Sequence, residues 1–165
     1  GEPIMSRTGH SFIKKKLKET GAELAGEMSG HIFFKERWYG FDDALYTGAR
    51  LLEIMSKSTK TCAELFDEIP ENINTPEINI HFEEHGQQFE AMEKLSKNIN
   101  FPGSTINTID GVRVDYDNCW GLVRPSNTTP CLVLRFEADD HKALNEIKAS
   151  FKDWLKGNSI SSETF

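Results

Sequence analysis

No apolar run in this 165-residue chain approaches the roughly 20 residues that a membrane helix needs. The N-terminus also lacks the apolar core of a signal peptide, so the sequence points to a soluble, cytoplasmic protein with no membrane partner. Cysteine is scarce. Cys62, Cys119 and Cys131 make an odd number without metal-ligand spacing, which argues against a disulfide framework and gives no metal site. Cys131 sits in an apolar run, where a buried free thiol is the expectation. Internal repeats and low-complexity stretches are missing too. One local absence stands out: no acidic residue occurs between Asp117 and Glu137, in a chain with 26 of them.

That acid-free window contains the stretch around which the chain is organised, Trp120 to Phe136. Two apolar runs, Leu122-Val123 and Cys131 to Leu134, read as buried strands flanking Arg124-Pro125-Ser126-Asn127-Thr128-Thr129-Pro130. The loop suits an anion. Arg124 can make a two-pronged hydrogen bond to a phosphate, and Ser126, Thr128 and Thr129 carry hydroxyl donors. Successive backbone N–H groups can form an anion nest, and Asn127 tolerates the left-handed conformation that a nest needs. The same composition also suits a polar hairpin turn with one solvated arginine.

The formal charge of −7 is unevenly shared, +2 over residues 1–60 and −9 over 61–165. The acidic second part argues against nucleic acid as a partner, and the shift marks a domain boundary. Before it, Thr8-Gly9-His10 leads into a basic helix, Ser11 to Thr20, with Ile13 and Leu17 inward and Gly21 as its stop. His10 falls at the helix's positive end, where an anion is favoured. If Ala25 to Phe34 is extended, its two-residue period places Glu27, Ser29 and His31 on one face, able to bind a polyol. A half-exposed edge strand is the alternative. Asp42, with Asp43 beside it, is expected to cap a helix whose Leu45, Ala49, Leu52 and Met55 face a core. Thr61 to Glu64 reads as a capping box opening a short helix that ends by Pro70.

After that linker, Glu77 to Phe82 alternates as a strand. His81 to His85 formally matches H-x-x-E-H, but His81 ends a strand and Gly86 follows His85, so the helix that motif requires is lacking. Phe89, Met92 and Leu95 mark a helix, and Ser104–Ile109 with Val112–Tyr116 form a hairpin about Asp110-Gly111. A last helix opens at Asp139 and Asp140, with Leu144, Ile147, Phe151 and Leu155 inward and Gly157 as its stop. The expected fold class is α+β, a mostly antiparallel sheet with helices on one face, preceded by a partial α/β domain.

Glu27-Met28-Ser29-Gly30-His31 and Arg124 to Pro130 together resemble the α-D-phosphohexomutases, in particular the bacterial phosphomannomutase/phosphoglucomutase enzymes. The likeness extends to Thr8-Gly9-His10, Phe33 to Tyr39 and Asp110-Gly111-Val112-Arg113. It implies a four-domain isomerase that interconverts hexose 1- and 6-phosphates through a hexose 1,6-bisphosphate, using Mg²⁺ and an active-site phosphoserine. Glu27, Ser29 and His31 match residues of its third domain that read sugar hydroxyls. Arg124, Ser126, Asn127 and Thr128 match the fourth-domain loop that grips the phosphate not being transferred. His10 matches an accessory histidine near the reacting end, and Arg135 a phosphate-side arginine. The fourth domain of that family is TATA-binding-protein-like.

The serine-His-Asn-Pro loop and the Asp-Gly-Asp metal loop of earlier domains are absent from this sequence. The resemblance therefore implies a C-terminal fragment without metal ligands or catalytic residues of its own. Its partners would be a phosphohexose and the N-terminal domains of the same enzyme. The expected divisions are 1–58 for the end of domain three, 59–73 for a linker, 74–157 for domain four and 158–165 for a mobile tail. Two alternatives stand beside this. One is a non-catalytic phosphosugar-binding module. The other is phosphoglucosamine mutase, which usually carries Gln at the Met28 position and Gly-Thr-Glu-Pro at Asn127 to Pro130.

Overall fold

Strand β8 (Cys131–Ala138) is the axis of the larger unit in the computed structural model, which describes residues 1–161. The chain divides into two compact units, Gly1–Pro70 and Glu71 onward. In the second, β8 pairs antiparallel with β7 (Cys119–Pro125) on one side. On its other side it pairs with β3 (Ile73–Asn74) near one end and β4 (Ile78–His81) near the other. Beyond β7 lie β6 (Val112–Tyr116) and the edge strand β5 (Thr105–Asn107). All six strands run antiparallel to their neighbours, in keeping with the mostly antiparallel sheet expected.

One face of this sheet is buried under α4 (Gln87–Lys97) and α5 (His141–Gly157). Ile80, Val112, Val114, Val123, Leu132, Leu134 and Phe136 point into that core and meet Met92, Leu95, Ile147, Phe151 and Leu155 from the helices. Asp140 caps α5, accepting the Ala143 N–H at 2.8 Å. Gly121 lets β7 pass under the aromatic cluster: a Cβ there would stand 2.6 Å from Phe151 and 2.9 Å from Phe136.

The helix marked by Phe89, Met92 and Leu95 forms as α4, with Phe89 41% exposed and Gln88, Met92 and Leu95 buried. Two expectations for this unit are corrected. Helix α5 runs through Gly157 rather than stopping before it. The start of the tail is pinned. Asn158 and Ile160 are buried, and Asn158 bonds to the Trp154 carbonyl and to Asn98. The rest of the expected tail, 162–165, lies outside the described residues. The linker expected over 59–73 contains α3 (Cys62–Phe66) with its capping box, and Ile73 joins the sheet.

The first unit holds α1 (His10–Thr20), a two-stranded hairpin of β1 (Leu24–Gly26) and β2 (Ile32–Phe34), α2 (Ala44–Ser56) and α3. Ile13, Leu17 and Phe33 form its small core. Helix α2 overturns the expected core contacts: it buries no residue, Leu45 and Leu52 are exposed, and its half-buried face is polar. On that polar side Glu53 accepts hydrogen bonds from Arg37 and Lys57, which hold its carboxyl down to about 2. A lowered carboxyl pKa stabilises the fold above its ordinary value, and that contribution fades as pH falls toward 2. A carbon-detected NMR titration of Glu53 is expected to give a midpoint near 2, and a midpoint near 4.5 contradicts the network.

Candidate functional site

The β7–β8 hairpin ends at the pair Pro125↔Leu132, and the connecting loop runs from Ser126 to Pro130. The Ser126 N–H donates to the Cys131 carbonyl at 2.9 Å and closes its base. Ser126 is buried, and its hydroxyl oxygen accepts the N–H groups of Thr128 at 3.3 Å and Thr129 at 3.2 Å. It also lies 2.8 Å from the Thr129 hydroxyl, which reaches the Cys131 thiol at 3.2 Å. Ser126 is thus the hub that shapes the loop from inside, while Asn127, Thr128 and Thr129 are exposed. The Asn127 N–H has no hydrogen-bond partner among the described residues.

Arg124 and Arg135 lie on the helix-free face. Register places Arg124 opposite Val133 and Arg135 opposite Leu122, so the two arginines are diagonal neighbours roughly 7–8 Å apart at the backbone. Arg124 is mostly buried, with its Nη1 3.9 Å from the Asp110 carboxylate. Its hydrogen bond to the Pro125 carbonyl is long, at 3.5 Å, which leaves most of its N–H fork for a ligand. Arg135 donates to the Asn74 side chain at 3.3 Å. Arg124, an unengaged backbone N–H and exposed hydroxyls at the hairpin end, with Arg135 midway along β8 on the same face, form a surface suited to a phosphate.

In the first unit the extended reading of Ala25 to Phe34 fails. Glu27, Ser29 and His31 lie on the turn between β1 and β2, closed by Glu27 N–H to the His31 carbonyl at 2.8 Å and by Gly30 at φ 90°. Gly30 turns the chain there, so the three side chains share a turn and not a strand face. The His31 Nδ1–H donates to the Asp42 carboxylate at 2.6 Å, which in a neutral ring leaves Nε2 as the acceptor. Asp42 also accepts the Ile32 N–H at 3.3 Å. The helix cap expected of it falls to Asp43, which accepts the Tyr46 N–H at 2.9 Å. The sequence reading missed this orienting role. The available signal was an adjacent acidic pair, only one of which can cap.

Glu27 Oε1 is shielded from solvent and has no hydrogen-bond partner among the described residues, a demand that a sugar hydroxyl could meet. His10 is the exposed first residue of α1, behind a Gly9 N-cap that provides no side-chain bond. Among the described residues no group of three or more His, Cys, Asp or Glu side chains is placed to hold a metal ion. The residues present therefore do not fit a Mg²⁺ site. No helix among the described residues is long and apolar enough to cross a membrane.

Residues 1–73 match the model for phosphoglucomutase/phosphomannomutase, alpha/beta/alpha domain III, and residues 77–153 the model for the C-terminal domain of the same proteins. The chain belongs to the phosphoglucomutase/phosphomannomutase family. The domain III match contains the Glu27–His31 turn and the C-terminal match contains Arg124 to Pro130. A phosphomannomutase/phosphoglucomutase of Pseudomonas aeruginosa is 56% identical over 94% of this chain and 34% of its own length. A phosphoglucomutase of Neisseria gonorrhoeae is 54% identical over 96% of this chain and 34% of its own. The crystal structure of a Burkholderia thailandensis phosphoglucomutase/phosphomannomutase family protein superposes with a TM-score of 0.89 at 48% identity, covering 100% of this chain and 35% of that one. The chain spans about a third of the length of these family members.

Proposed function

We propose that this chain is the substrate-gripping C-terminal portion of a phosphomannomutase/phosphoglucomutase. The parent enzyme interconverts hexose 1-phosphate and hexose 6-phosphate through hexose 1,6-bisphosphate. Its phosphoserine and Mg²⁺ site belong to domains outside this chain. The observation that carries the reading is the β7–β8 loop, with the Arg124 fork and the unengaged Asn127 N–H at one hairpin end. Arg124, Arg135, Asn127 and Thr128 hold the phosphate that is not transferred, and Ser126 keeps the loop in shape. Glu27, Ser29 and His31 read the hydroxyls of the hexose, with His31 fixed in one tautomer by Asp42.

The chemistry demands tolerance as well as grip. The bisphosphate must present each of its phosphates in turn to the same serine, so the spectator site must accept either end. A site that contacts mainly phosphate oxygens does so, because both ends offer the same geometry. Phosphoryl transfer also needs donor, metal and acceptor positioned together, and this chain contributes only the acceptor's positioning. The isolated chain is accordingly expected to be silent in a coupled glucose 1-phosphate to glucose 6-phosphate assay, and to bind glucose 1-phosphate without turning it over. The full-length parent is expected to be active in the same assay. Turnover by the isolated chain overturns this division of labour, and a full-length parent inactive on both glucose and mannose phosphates overturns the proposed activity.

A further inference from the structure

Gln88 is a fully buried polar side chain on α4, 38 residues from the loop it touches. Its Oε1 accepts the Gly86 N–H at 2.8 Å, and its Nε2–H donates to the Ser126 carbonyl at 3.3 Å. A buried carboxamide with donor and acceptor both engaged is a fixed strut, since losing either bond would leave an unsatisfied polar group in the core. The Ser126 carbonyl belongs to the peptide unit whose other end is the Asn127 N–H. That unit is planar and trans, so its C=O and N–H point in opposite directions. A carbonyl tied inward to Gln88 aims the Asn127 N–H outward, and this is the one N–H among Asn127, Thr128 and Thr129 that Ser126 Oγ does not engage.

We propose that Gln88 is a positioning residue for phosphate recognition: it locks the Ser126–Asn127 peptide against flipping and so aims the Asn127 N–H at the anion. The role rests on the reading of the loop as a phosphate grip. Without the Gln88 donor, the Ser126 carbonyl would gain by turning outward to water. That flip would turn the Asn127 N–H inward and place a carbonyl oxygen where the phosphate should sit. Arg124 does not depend on Gln88 for its own position, because strand pairing with Val133 holds its backbone. The effect of losing Gln88 is therefore a weakened site and not an abolished one.

The test is a titration of the ¹⁵N-labelled 165-residue chain with glucose 1-phosphate, unmodified and as Gln88→Met, which keeps the length of the side chain and removes both hydrogen bonds. In the unmodified chain the Asn127 amide signal is expected to move among the most on saturation. In Gln88→Met the dissociation constant is expected to rise about tenfold, the scale for one orphaned buried acceptor. The Asn127 amide is then expected to respond little, while the amides of Val123 and Leu134 stay at their original positions. Gln88→Glu separates the donor from packing. Its carboxyl keeps the acceptor for Gly86 but can donate to Ser126 only while protonated, a form that burial beside a carbonyl favours. Measured against the unmodified chain at each pH, the variant is therefore expected to bind as tightly where its carboxyl is protonated and to show the same weakening once it is ionised. If Gln88→Met does not fold, Gln88→Glu alone decides. An unmodified chain whose loop amides do not respond to glucose 1-phosphate overturns the loop reading and this proposal with it. A responding loop with the same dissociation constant in the folded variants overturns the role of Gln88 alone.

Discussion

Gly111→Ala is expected to lower the unfolding free energy of the second unit by about 4 kcal/mol or more, read from urea denaturation. Gly111 sits at the β5–β6 turn with φ 78°, where a side chain is strained by roughly 1–2 kcal/mol. The larger part of the effect is steric. A Cβ at Gly111 would lie 2.1 Å from the Val123 carbonyl oxygen and 2.6 Å from the Arg124 Cα, both backbone atoms that cannot rotate away. Gly103 is the control. Its φ is 80° but nothing lies within 4 Å of its would-be Cβ, so Gly103→Ala is expected to lower stability by only about 1 kcal/mol. Equal effects at the two positions would mean that the turn does not press on β7. Because the obstructed atoms include Arg124, any Gly111→Ala protein that still folds is also expected to bind glucose 1-phosphate more weakly.

Arg124→Ala in the full-length parent is expected to raise the substrate KM about tenfold to a hundredfold. That range corresponds to losing one two-pronged charge-assisted hydrogen bond to phosphate, about 1.5–3 kcal/mol. Under the proposed function a fall in kcat is expected as well, because the bisphosphate would have to stay bound while it turns round. The apparent affinity for Mg²⁺ is expected to stay unchanged, since the metal ligands lie in other domains under the proposed function. Arg124→Lys keeps the charge and loses the fork, so it should fall between the two. Unchanged KM and kcat in Arg124→Ala would remove the loop from substrate recognition. The Asp110 carboxylate, 3.9 Å from the Arg124 guanidinium, ties the two predictions together: the Asp110-Gly111 turn abuts the residue that the loop depends on.

Much of this architecture is legible in the residues alone. Alternation located β4, apolar runs located β7 and β8, Asp110-Gly111 located the β5–β6 hairpin, and the stripe Leu144, Ile147, Phe151, Leu155 located α5. Strong local patterns succeed where the segment's own unit supplies its burial. Helix α2 shows the limit, since Leu45, Ala49 and Leu52 of its apolar stripe stay exposed and only Met55 is half-buried. Periodicity reports a face that seeks burial and not what buries it.

The site was read unevenly for a related reason. The residue types of the loop suggested an anion surface, but only the folded arrangement shows that Ser126 points inward and engages two of the expected N–H donors. Glu27 to His31 could be grouped by proximity in sequence, though Gly30 at positive φ turned the expected strand into a hairpin turn. Asp42 and Gln88 were missed because each acts across 11 or 38 residues, beyond any local pattern. At Gln88 the helical spacing to Met92 and Leu95 was present, but its polar identity hid it from a search for apolar stripes.

The most direct measurement is a crystal structure of the full-length parent with hexose 1,6-bisphosphate bound. The account predicts the phosphate remote from the serine within hydrogen-bond distance of the Arg124 guanidinium and the Asn127 N–H, with the sugar hydroxyls at Glu27, Ser29 and His31. A bisphosphate bound with neither phosphate in contact with the β7–β8 loop would contradict it.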